Sequence, residues 1–237
     1  MSPARSEKLI VAFSGGKDST ALALRLHELG EPFKMLFTPT GNELPGVLEF
    51  VDQIRARVDC ELVLPPGPSL AQLISEFKAL PNFRQRWCTR LIKIQPCVAW
   101  LKAHPGSTLA VGLRADEEER RGLYGDYATY RFPLREWGWR LKEVRGYLAE
   151  RGVEVPSRTD CAVCPYQRLV DWRNLLRDHP AEYAKGEAQE AETGHTFRSA
   201  QRDTWPAGLK ELRVEFEAGR PIRGEKKAGA ACRVCRM

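Results

Sequence analysis

The stretch LIVAFSGGKDST, residues 9–20, constrains the fold more than any other part of the chain. Five apolar residues without polar alternation read as a short strand buried on both faces, the kind that parallel sheets use. Two glycines, a lysine and an aspartate follow at once. From Lys17 to Leu29 the pattern turns helical, with Leu22, Leu26 and Leu29 on one face and Gly30 as the stop. At a glycine turn between strand and helix, backbone N–H groups can approach an anion, and the helix N-terminus adds its positive end. Lys17 can neutralise phosphate, Ser14 and Ser19 can donate hydroxyl hydrogen bonds, and Asp18 can hold Mg²⁺ or order the loop. The spacing fits neither the GxxxxGK phosphate loop nor GxGxxG.

The same alternation continues downstream. FKMLFT (33–38) reads as a second strand, residues 43–58 as a helix with Leu44, Val47, Leu48, Val51, Ile54 and Val58 as its apolar stripe, and CELVL (60–64) as a third strand. Ser69 begins a helix through Leu80. Thr89–His104 reads as a helix broken near Pro96, followed by strands at 107–113 and 128–134 and a helix over Arg135–Gly152. Strand–helix–strand repetition predicts an α/β fold: a doubly wound, mostly parallel sheet of five or six strands with helices on both faces. After Pro156 no strong strand appears, only helix candidates at Tyr166–Arg177, Pro180–Ala191 and Pro206–Ala218. The expected organisation is a nucleotide-binding α/β domain over 1–156 and a small helical, cysteine-bearing appendage over 157–237.

Composition bounds the function. No stretch reaches eighteen apolar residues, so no membrane helix or membrane partner is expected. The first residues lack a secretory apolar run, which makes the cytoplasm the expected location. Net charge is +6, and the end from Glu217 carries six basic residues against two acidic ones, which suits a phosphate-rich partner or a solvated tail. Seven cysteines in such a chain argue for metal or thiol chemistry rather than structural disulfides. Two pairs, Cys161/Cys164 and Cys232/Cys235, have CxxC spacing.

The SGGKDS loop resembles the pyrophosphate-binding loop of the N-type ATP pyrophosphatase and adenine nucleotide α-hydrolase-like superfamily. Further segments resemble its phosphoadenosine phosphosulfate (PAPS) reductase branch: FTPTGNELP (37–45), RWCTRLIK (86–93), VGLRADEEERR (111–121), FPLREW (132–137) and CAVCPYQ (161–167). Pro39 stands where that family commonly has an aspartate. The resemblance, spanning roughly residues 8–178, implies adenine-nucleotide contacts from Phe13, Ser14, Gly15, Gly16, Lys17, Asp18, Ser19, Thr40, Gly41, Arg90, Lys93, Gly112, Arg114 and Arg121. Lys17, Asp18 and Arg114, with Cys232 or Cys235 as nucleophile, are the catalytic candidates.

The cysteines admit two metal readings, since thiolates suit iron–sulfur clusters and zinc alike. Cys88, Cys161 and Cys164 are candidate ligands of a [4Fe–4S] cluster, with Cys232 or Cys235 as the fourth. The rival arrangement joins Cys161, Cys164, Cys232 and Cys235 in a four-thiolate zinc site. Cys60 and Cys97 read as core thiols. The leading expectation is therefore an iron–sulfur enzyme that activates a substrate with ATP and Mg²⁺, releases pyrophosphate and transfers sulfur to an acceptor such as a nucleic-acid base. The alternative is a thiol-dependent reductase of PAPS or adenylyl sulfate that releases sulfite, and a third is a non-catalytic nucleic-acid-binding protein. The partners implied are an adenine nucleotide, a thiol reductant or sulfur-donor protein, and a nucleic acid; a homodimer is compatible with the chain.

Overall fold

The computed structural model describes residues 8–117 and 128–222. Among them, β1 (Leu9–Ala12), β2 (Lys34–Leu36), β3 (Leu62–Val63), β4 (Thr108–Ala110) and β5 (Thr129–Arg131) form a single sheet in the order β3-β2-β1-β4-β5. Each neighbouring pair is parallel, with Val11 opposite Met35 on one side and Ala110 on the other. The connecting helices are α1 (Lys17–Glu28), α2 (Val47–Val58), α3 (Leu70–Phe77), α4 (Gln95–Ala103), α5 (Pro133–Glu136) and α6 (Leu141–Glu150).

Side chains alternate across a strand, so a strand covered on both sides must be apolar at every position. Val11 and Met35 join Leu22 and Leu26 of α1, Val51 and Ile54 of α2, and Val144 and Leu148 of α6 in one core cluster. Ile10, Leu36 and Leu109 join Cys97 and Leu101 of α4 in another. That is why LIVAF carries no polar alternation. The doubly wound sheet with helices on both faces is present, with five strands.

Beyond the sheet, α7 (Leu169–Asp178), α8 (Pro180–Thr193) and α9 (Leu209–Glu217) build a helical region around Trp172, Tyr183, Phe197 and Leu212. Its core is continuous with Leu44, Val47, Leu70 and Leu73, so the cysteine-bearing segment is held against the start of α2 and against α3. Among the described residues no helix is long and apolar enough to cross a membrane.

Four expected helices differ in the structure. The one over 43–58 starts only at Val47, after an N-cap at Gly46 in the left-handed region at φ 84°. Thr89–His104 opens with a π-helical segment, Thr89–Ile94, and becomes regular only at α4, with Pro96 in its first turn. Proline has no N–H to continue a hydrogen-bond ladder but fits a first turn, so the chain changes helix type there. Arg135–Gly152 divides into α5 and α6, because Gly138 turns into the left-handed region at φ 68° and Trp139 N–H folds back to the Leu134 carbonyl at 2.7 Å. The helix expected from Tyr166 starts at Leu169, since residues 161–167 form two turns closed by Cys164 N–H to Cys161 O and Gln167 N–H to Cys164 O.

Candidate functional site

The chain leaves β1 toward β2 on one side and returns to β4 on the other, so the carboxyl end of β1 lies at the switch point of the sheet, where open α/β sheets hold ligands. The SGGKDS loop occupies that place. Gly15 has φ 71°, a conformation that disfavours side chains, although a Cβ there would meet Val47, Val51 and Thr159 only at ordinary distances. Gly16 is the extended N-cap of α1 and no side chain caps the helix, so its first-turn N–H groups are not taken by a capping residue. Ser19, 5% exposed, braces the loop from inside: its hydroxyl accepts from Ser14 N–H at 3.2 Å and donates to the Gly16 carbonyl at 3.0 Å.

Charge is concentrated on Asp18. Lys17 Nζ donates to Asp18 Oδ2 at 3.1 Å, and Arg114 Nη1 donates to the same oxygen at 2.8 Å. Arg114 also bonds Asp116 Oδ1 through Nε at 2.9 Å and lies 3.6 Å from Glu117 Oε2. Burial opposes its charge, but Asp18, Asp116 and Glu117 outweigh that and hold its pKa above the usual arginine value. The other oxygen, Asp18 Oδ1, is buried without a hydrogen-bond partner. Gly112 completes the junction: a Cβ there would sit 3.1 Å from Asp18 C and from Ser19 N, so β4's extension packs directly on the backbone of α1's first turn.

A second cluster lies at the end of β2. Thr40 N–H and hydroxyl both donate to Glu43 Oε1, at 2.6 and 2.7 Å, and the Cys161 thiol donates to Thr40 Oγ1 at 3.5 Å. Arg158 fixes the cysteine turn by donating to Asp160, Gln167 and the Cys161 carbonyl. Thr40, Cys88, Lys93, Cys161 and Cys164 all line one small cavity of about 30 Å³, together with Arg86 and Tyr166. The two clusters are joined by residues 158–161, because Thr159 Oγ1 stands 3.4 Å from where a Gly16 Cβ would lie while Cys161 faces the cavity.

Residues 8–157 match the phosphoadenosine phosphosulfate reductase domain family. The chain belongs to the PAPS reductase family. Two uncharacterized proteins of Methanocaldococcus jannaschii are similar to it, one 24% identical over 87% of the chain and 54% of that protein, the other 25% identical over 76% of the chain and 40% of that protein. The chain thus spans about half the length of the curated relatives it matches. The crystal structure of PAPS reductase from Candida auris, a phosphate complex, shares the fold at TM-score 0.51 and 17% identity, over 62% of this chain and 74% of that one.

Within this PAPS reductase frame the metal expectation is overturned. Among the described residues, no three His, Cys, Asp or Glu side chains form a group that could hold a metal ion. The [4Fe–4S] cluster on Cys88, Cys161 and Cys164, the zinc site and the Mg²⁺ site are therefore corrected. The physical reason lies in the thiols: a metal needs deprotonated sulfurs in one set. Here burial pushes Cys88, Cys161 and Cys164 up, and Cys161 keeps its proton as an S–H donor to the Thr40 hydroxyl.

The other expected residues separate clearly. Ser14 to Ser19, Gly112 and Arg114 gather at the loop, and Thr40, Gly41 and Lys93 belong to the β2 side. Phe13 is buried in the sheet core at 4% exposure, and Arg90 is exposed on the π-helical segment. Cys97 is a core thiol raised to about 12 by burial, and Cys60 is half-buried against the core. Arg121, Cys232 and Cys235 lie outside the described residues. Thr159 is the neighbour of the loop that the sequence reading missed; a single threonine in SRTDC carries no periodicity and no motif.

Proposed function

We propose that the chain is a thiol-dependent reductase of an activated sulfate, PAPS or adenylyl sulfate, whose nucleotide phosphates rest on the SGGKDS loop. Family membership over residues 8–157, with that loop at the end of the central strand, is the observation that carries the reading. The loop offers backbone N–H groups, the positive end of α1 and the Lys17 ammonium, all suited to charge that builds on a leaving phosphate. Arg114 acts behind it as a positioning residue, since its guanidinium is occupied by Asp18, Asp116 and Glu117.

A cysteine thiolate attacks the sulfate sulfur, forming an S–S bond as the S–O bond to the nucleotide breaks and the electron pair departs on the phosphate oxygen. An external dithiol then attacks the cysteine sulfur of the resulting thiosulfonate, expels sulfite and leaves as a disulfide once its second thiol closes. The described cysteines are poorly suited to the first step, because burial raises Cys60, Cys88, Cys97, Cys161 and Cys164 away from the reactive thiolate. The nucleophile is assigned to Cys232 or Cys235.

Parallel anaerobic reactions with PAPS, adenylyl sulfate and ATP, each supplied with a reduced dithiol, test the proposal. Sulfite release from an activated sulfate is expected. Pyrophosphate from ATP without sulfite from either sulfate would replace it with α-phosphate activation. Lys17→Ala should lower turnover by roughly 100-fold with an unchanged melting curve, the scale on which removal of an electrostatic donor acts.

A further inference from the structure

A groove of about 330 Å³ runs between residues 79–85 and 195–201, and shares no residue with the SGGKDS loop. Its lining holds Arg84, Arg198 and His195, the amides of Asn82, Gln85 and Gln201, and the hydroxyls of Thr196 and Ser199. No carboxylate lines it. Phe83 is 48% exposed at its rim, an unusual setting for a large apolar ring, and the Arg84 guanidinium lies over it at 5.2 Å. Tyr166 fixes Phe83 from behind, donating its hydroxyl to the Phe83 carbonyl at 2.7 Å, and carries the Arg86 guanidinium over its own ring at 5.0 Å. Arg202 flanks the same corner through a bond to the Pro165 carbonyl at 3.2 Å. At the groove wall Arg198 is 2% exposed and held by Asp203, yet its Nε has no hydrogen-bond partner.

From these features we infer that the groove binds a single strand of nucleic acid. Guanidinium groups recognise phosphate, and exposed aromatic rings offer stacking planes for bases of any sequence. The two are paired here: Arg84 lies over Phe83 at the groove, and Arg86 over Tyr166 beside it. A protein partner's interface would present an apolar centre, which this polar lining lacks. A duplex hides its base faces and does not fit a concavity at the small end of the range for ligand pockets, whereas one nucleotide unit does. Asn82 and the Tyr166–Phe83 bond connect the groove to the cavity of Thr40, Cys88 and Cys161, so a strand seated there would run toward the cysteine turn. The inference stands apart from the choice of activated sulfate, and Lys17 separates the two.

Fluorescence anisotropy with end-labelled, mixed-sequence 12-mers of RNA and DNA tests it on the full chain. Saturable binding of a single strand that weakens with salt is expected, and the preferred sugar identifies the source. Phe83→Ala and Arg84→Ala should each weaken binding by about tenfold, the scale of a lost stacking or phosphate contact. Both side chains are exposed, so melting curves should not move. Lys17→Ala should bind the strand normally while losing turnover, which distinguishes failure of this site from failure of the loop. Undiminished binding by Phe83→Ala and Arg84→Ala, tighter binding of the matching duplex, or equal affinity for AMP alone would each overturn the inference. So would a wild-type dimer in sedimentation that Phe83→Ala converts to monomer, because the groove's occupant would then be a second copy.

Discussion

Gly112 shows how one missing methyl group sets the site. Its Cβ position falls 3.1 Å from Asp18 C and Ser19 N and 3.2 Å from Asp18 O, all of them backbone atoms of α1's first turn that no rotamer change can relieve. Gly112→Ala must push that turn away from β4, and with it the Asp18 carboxylate that Lys17 and Arg114 share. Overpacking of this kind costs about 1–3 kcal/mol. The expected outcome is a modest fall in melting temperature with, if the loop holds the proposed activated sulfate, a much larger loss of affinity for PAPS, read by titrating the variant with that nucleotide. A variant that binds as the wild type does would show that the β4–α1 junction does not position the loop. Gly112 was legible as a motif position, but its reason was not, since a close approach between segments about ninety residues apart leaves no local trace.

At the scale of elements, what was legible followed from local pattern. The apolar runs at 9–13 and 33–38 became β1 and β2, and SGGKDS led into α1, because those signals lie within a dozen residues of chain. The helix boundaries that shifted did so at Gly46, Pro96, Gly138 and the double turn of 161–167. There a backbone restriction competes with a continuous apolar stripe. The cysteines mark the other limit: CxxC spacing fixes Cys161 and Cys164 on one turn, but whether Cys88 completes a metal set depends on tertiary distance. Thr159 and the Thr40–Glu43–Cys161 contacts are likewise long-range consequences of how the C-terminal helices share a core with α2 and α3. One element carries a testable excess. Gly146 is exposed within α6, and a Cβ there meets nothing within 4 Å. Gly146→Ala should therefore stabilise the chain by about 0.5–1 kcal/mol through the unfolded state and helix propensity, without altering turnover. A denaturant midpoint that fails to rise would indicate that α6 needs the glycine for a contact beyond this chain.

At the scale of the whole molecule, a buried carboxylate helps to close the helical region. Glu190 of α8 accepts Phe197 N–H on one oxygen at 2.9 Å and Leu209 N–H on the other at 2.6 Å, tying the loop after α8 and the start of α9 to a single side chain. Burial raises its pKa to about 7; the two N–H donors lower it and nearby Glu211 and Glu187 raise it further. The folded state therefore holds this proton more tightly than the unfolded chain, whose carboxylate keeps its ordinary value of 4.5. Protonation favours the fold: the contribution is fully present below the unfolded pKa, fades as pH rises from there through about 7, and is lost above it. One group changes stability by at most about 1.4 kcal/mol per pH unit. Urea midpoints measured from pH 5 to pH 8 should fall with rising pH in the wild type, and Glu190→Gln, which cannot titrate, should flatten that slope whatever its absolute stability. Equal slopes in the two proteins would place the pH response elsewhere. Because Glu190 holds Phe197 and Leu209, members of the core that α7, α8 and α9 share with Leu70 and Val47, the same titration should loosen the support behind Cys161 and Thr159, and mildly alkaline conditions should raise proteolysis in residues 195–209 before the sheet opens.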